Sequence, residues 1–85
     1  MEEEKYHIAV GVDMIQVLEV FVQRGEPLGI TQLANELKMS KNKVFRIIQT
    51  YKAFGYIQKT EFSDFYELGP KVFEMAALVR QQELP

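Results

Sequence analysis

The chain has 85 residues, 47% hydrophobic and 26% charged, with a formal net charge of −2 and no cysteine. That length supports one core and no second independent unit, so residues 1–85 are expected to form a single domain. The totals exclude a disulfide scaffold, a thiolate metal site and a disordered tail, and no apolar run approaches the ~20 residues that a bilayer span requires.

In chain order, "MEEEKYH" is acidic where a secretory signal is basic, so a flexible start over residues 1–7 and a cytoplasmic location are expected. From about Ala9 to Arg24, Val12, Ile15, Leu18, Phe21 and Val22 recur at intervals of three and four, which predicts a helix with one buried stripe. Asp13 followed by Gln16 is an alternative, later start for it. Gly25 and Pro27 in "RGEPLG" end this helix. Thr31 is the expected N-cap of a short second helix through Lys38, with Leu33, Ala34 and Leu37 facing inward.

A tight "KMS" connection leads to a third helix, about Lys41 to Phe54, capped by Ser40 and closed by Gly55. Two helices with so short a joint form a helix-turn-helix. Val44, Ile47, Ile48 and Tyr51 share the inner side of the third helix. At 100° per residue the opposite side collects Asn42, Arg46, Gln49 and Ala53, with Phe45 and Lys43 on its shoulders. "YIQKT" and "FYEL" read as two strands around an "EFSD" tip. Gly69 and Pro70 open a last helix, 70–82, whose Val72, Phe73, Met75, Ala76, Ala77, Leu78 and Val79 exceed what one small core can cover. Packing against the first helix is expected to absorb part of that surface, and a dimer contact the rest. The predicted architecture is mainly α with a small β-hairpin: a three-helix core, a two-stranded wing and a C-terminal helix.

Charge is segregated along this framework. Six cations and no acid lie between Lys38 and Lys59, whereas the remaining 63 residues hold four cations and twelve acids. Screening removes the distant acids from the local field, so one face is basic on an acidic protein. An α-helix fits the major groove of B-DNA, where Arg46 can fork onto guanine and Asn42 and Gln49 match adenine. There Phe45 can touch a thymine methyl. Lys38, Ser40, Lys41, Lys43, Lys52 and Lys59 are the candidate phosphate contacts, which give register and salt-dependent affinity without reading sequence. A solvated lysine face is the competing explanation. The absence of acids, the short-turn partner helix and the following hairpin argue against it.

"VLEVFVQRGEPLGITQLANELKMSKNKVFRIIQTYKAFGYIQK" followed by "YELGPKVFEMA" resembles the winged helix-turn-helix DNA-binding domain of IclR-type transcriptional regulators. The resemblance covers about residues 12 to 78 and implies dimeric binding to palindromic operators. Asp13 departs from it, standing where the family often has a basic residue. Glu61 and Asp64 at the wing tip depart as well, and they disfavour deep insertion beside phosphates. Family members usually continue into an effector-binding domain, and this chain stops at Pro85, so a lone unit and a fragment both remain open. No small-molecule effector site is expected within it.

The expected partner is double-stranded DNA, bound by a homodimer joined through the C-terminal helix and the first helix, with repression favoured over activation. The alternative is a protein-interaction winged helix whose basic face binds an acidic partner. No enzyme, cofactor or metal is expected. His7 has no second His or any Cys to join in a metal site, and Glu61, Asp64 and Glu67 read as solvent-facing hairpin residues.

Overall fold

The computed structural model describes residues 6–83, so most of the expected flexible start lies outside the described residues. Four helices and one hairpin follow in order: α1 (Ala9–Arg24), α2 (Ile30–Leu37), α3 (Lys41–Ala53), β1 (Ile57–Lys59), β2 (Tyr66–Leu68) and α4 (Pro70–Glu83). The fold is mainly helical with an antiparallel two-stranded wing paired Ile57 to Leu68, Gln58 to Glu67 and Lys59 to Tyr66.

The core sits where the first three helices meet the base of the wing. Val17 and Phe21 of α1, Leu33 and Ala34 of α2, and Val44, Ile47 and Ile48 of α3 are buried, together with Leu28, Ile57 and Tyr66. The inner faces of α2 and α3 are those the sequence predicts, with Leu37 and Tyr51 half-buried. On α1 the buried side is rotated from the expected stripe. Val17 and Phe21 are buried with Met14 and Val20 packed beside them, while Val12, Ile15 and Val22 face solvent. The cause is composition: α1 carries apolar residues around most of its circumference, so periodicity alone does not choose which side meets the core.

The start of α2 also moves. Gly29 is the N-cap, and the Gln32 side chain reaches back to its N–H at 3.5 Å, so Thr31 lies inside the first turn. A Cβ at Gly29 would stand 3.0 Å from the Phe65 ring, so a larger residue there requires that ring to shift. Leu28, just before, exchanges two 2.9 Å backbone hydrogen bonds with Tyr66 and adds a one-residue third member to the wing's edge.

At the base of α4 two backbone segments interlock. Gly55, with φ of 83°, follows the end of α3, and its carbonyl accepts the Lys71 N–H at 3.0 Å. Gly69 N–H donates to the Tyr56 carbonyl at 2.8 Å. A Cβ on Gly69 would lie 2.4 Å from the Gly55 oxygen, so this crossing requires glycine for space. Beyond it α4 has no buried residue, and Val72 is half-buried. The expectation that α1 packing would cover part of α4 is corrected: Phe73, Met75, Leu78 and Val79 are all exposed.

Candidate nucleic-acid interface

Position on this surface is set by α3 and its anchors. The Ser40 hydroxyl accepts the Lys43 N–H at 3.1 Å, satisfying one of the free donors of the first turn. That hydroxyl retains its own proton and can donate it to a phosphate oxygen. On the inner side, Val44, Ile47 and Ile48 fill the core, and the Tyr51 hydroxyl donates to the Met14 carbonyl of α1. Burial, aided by the neighbouring Tyr56 ring, raises the Tyr51 pKa above its usual value and keeps that donor protonated. The helix is thus held at its N-terminus by a cap and along its back by the core.

Its outer side carries the predicted readers together. Asn42 and Arg46 are exposed, Gln49 is half-buried, and Phe45 on the shoulder is 46% exposed. Among the described residues no carboxylate lies within ion-pair range of Arg46. Thr50 donates to the Arg46 carbonyl at 2.8 Å, which leaves the guanidinium uninvolved. A groove of about 340 Å³ runs between α1 and this face, lined by Val10, Met14, Asn42, Lys43, Arg46 and Thr50 among others.

The candidate phosphate contacts are less uniform. Lys38, in a left-handed conformation (φ 56°) at the C-cap of α2, and Lys41 at the start of α3 frame the turn. Lys52 is in the last turn of α3 and exposed, so the two ends of the helix each present a cation. Lys43 instead turns toward α1, where its Nζ is 2.9 Å from Asp13 Oδ2. Lys59 on β1 stands 3.5 Å from Asp64. Sequence reasoning missed both pairings. The Lys43 partner is 30 residues away, and only the packing of α1 on α3 brings it near.

The wing is braced by Gln58 donating to Glu67 across the strands at 2.7 Å and by Thr60 N–H donating to the Phe65 carbonyl at 2.9 Å. Its tip presents Glu61, Asp64 and a 91% exposed Phe62. Among the described residues no group of three or more His, Asp or Glu is placed to hold a metal ion. No helix there is long and apolar enough to cross a membrane.

Comparison with known proteins bears on the family and the fold. Residues 14–61 match the profile of the IclR helix-turn-helix domain. The chain is 36% identical over 70 residues to the HTH-type transcriptional regulator KdgR of Dickeya chrysanthemi, covering 80% of this chain and 23% of that protein. It is equally similar to KdgR of Escherichia coli strain K12, covering 27% of it. This chain therefore spans about a quarter of the length of those curated relatives. Among solved structures, an IclR family transcriptional regulator from Brucella abortus superposes with a TM-score of 0.78 at 19% identity, covering 94% of this chain and 30% of that one. HmgR of Pseudomonas aeruginosa gives 0.75 at 18%, over 92% and 32%. At those identities the structures establish the winged-helix fold.

Proposed function

Because the chain belongs to the IclR helix-turn-helix family, we propose that it is a sequence-specific double-stranded DNA-binding regulator of transcription that reads the major groove with α3. The observation that carries this reading is the open outer side of α3, with Asn42 and Arg46 in solvent on a helix whose back is fixed in the core. Arg46 pairs with guanine, Asn42 and Gln49 with adenine, and Phe45 packs on a thymine methyl. Lys38, Ser40, Lys41 and Lys52 bind flanking phosphates, with Lys43 and Lys59 joining once their carboxylates yield. The acidic wing tip stays clear of the backbone.

The protein acts in the cytoplasm as a symmetric homodimer that represses by occupying its operator. The solvent-facing side of α1, with Val12, Ile15 and Val22, and the exposed α4 residues Phe73, Leu78 and Val79 supply apolar surface for that pairing. An acidic protein partner for the basic face is the lesser reading, because the family match favours DNA.

Selection from random oligonucleotides followed by footprinting tests the proposal directly. With the five lysines of one protomer neutralising phosphates, affinity falls by roughly 500-fold between about 50 and 200 mM salt, and more steeply for a dimer. Arg46→Ala is expected to lower affinity for the selected site by about 1–3 kcal/mol more than for random duplex, whereas Lys52→Ala weakens both alike. Equal losses for the two duplexes in Arg46→Ala would remove Arg46 from the reading face.

A further inference from the structure

Of the candidate phosphate-binding cations, Lys43 and Lys59 have carboxylates within ion-pair range among the described residues, and the two pairs differ in setting. Asp64 is wholly exposed and 3.5 Å from Lys59, so water and salt screen it. The Asp13 side chain is 21% exposed and meets Lys43 at 2.9 Å across the α1–α3 contact. Lys43 itself is half exposed and lines the groove that also contains Asn42 and Arg46. The carboxylate thus occupies a cation at the edge of the proposed reading surface.

On the DNA-binding reading above, we infer that Asp13 acts as a resident substitute for a DNA phosphate, holding Lys43 in the free protein and thereby lowering affinity for any duplex. A phosphate must displace the carboxylate to gain Lys43, so the resident ion pair offsets part of that lysine's attraction for the duplex. Because phosphates carry no sequence information, the attenuation is the same for specific and random DNA. Asp13 is a positioning residue in this scheme, working through Lys43.

The test is a double-mutant cycle of Asp13→Asn and Lys43→Gln, read by fluorescence anisotropy with a labelled random-sequence duplex across a salt series. Asp13→Asn keeps the side chain's shape and is expected to tighten binding roughly 3- to 10-fold near 100 mM salt, with the log–log salt slope steeper by about 0.9. In the Lys43→Gln background the same change is expected to have little effect, since the coupling runs through that lysine. Equal tightening in both backgrounds would mean direct repulsion of DNA and would overturn the inference. A weakened, thermally destabilised Asp13→Asn or Asp13→Ala protein would overturn it too, because a purely structural tie predicts that outcome. If the wild-type protein shows no salt-dependent binding, the DNA-binding reading fails first and this inference falls with it. Normal wild-type binding with an uncoupled cycle removes this inference alone.

Discussion

Tyr51 sits half-buried on the inner side of α3 and donates its hydroxyl to the Met14 carbonyl of α1, so one atom pair ties the proposed reading helix to the helix behind it. Tyr51→Phe is expected to cost about 0.5–1.5 kcal/mol at neutral pH, measured by urea unfolding. The folded-state pKa is raised above 10.0, first by burial and then by Tyr56, so the fold favours the protonated hydroxyl. Its contribution is complete below the unfolded value and is lost as pH climbs through the folded one. The stability gap between wild type and Tyr51→Phe should therefore narrow above about pH 10. A gap independent of pH would show that the hydroxyl has the same pKa in the folded and the unfolded chain, so that burial does not raise it. At this scale the inward placement of Tyr51 was legible from its spacing with Val44, Ile47 and Ile48, but its acceptor was not. The acceptor is a backbone carbonyl 37 residues distant, and no pattern of side chains encodes it.

Elements show the same division between local and long-range causes. The end of α1 and both limits of α3 follow from breakers and caps next to them in the chain, and the strands from their aromatic and β-branched residues. Those rules act over a few residues, which is why they are readable. The first turn of α2 starts at Gly29, which Gln32 caps and the Phe65 ring overlies, and the buried side of α1 is decided by where α2 and α3 lie. The second is a tertiary fact that overrides a local preference. The base of α4 is a further case: the sequence places Gly69 at the opening of the last helix, whereas its role in the fold is to let two backbones cross. Gly69→Ala places a methyl against the Gly55 carbonyl and is expected to destabilise the domain by about 1–3 kcal/mol. Hydrogen exchange should show accelerated exchange at the Lys71 amide, which bonds Gly55. An unchanged melting temperature with intact Lys71 protection would refute the close crossing.

For the whole molecule, the Cα radius of gyration is 14.4 Å, against about 12 Å for a compact chain of this length. The excess fits an α4 that contributes no buried side chain. Exposed apolar residues on α4 and on the outer side of α1 leave the proposed dimer with surface to bury, and sedimentation equilibrium at tens of micromolar is expected to show it. A monomer with and without DNA would refute self-association. Replacing Phe73 and Leu78 by Asp together is expected to shift any dimer to monomer without unfolding it, since neither side chain is in the core. The surplus apolar count of α4 was legible in the sequence; that the first helix fails to cover it was not, because α1 has two apolar sides and the core takes only one.

The interlock of Gly55 and Gly69 carries a geometric consequence. The peptide that closes α3 is also the one to which the opening turn of α4 is bonded, so the two helices share one hydrogen-bonded joint. In any twofold pair clasped through α4, two short amide contacts per protomer would act as the ruler that sets how far apart the two α3 helices stand, and with it the number of base pairs between the halves of a palindrome.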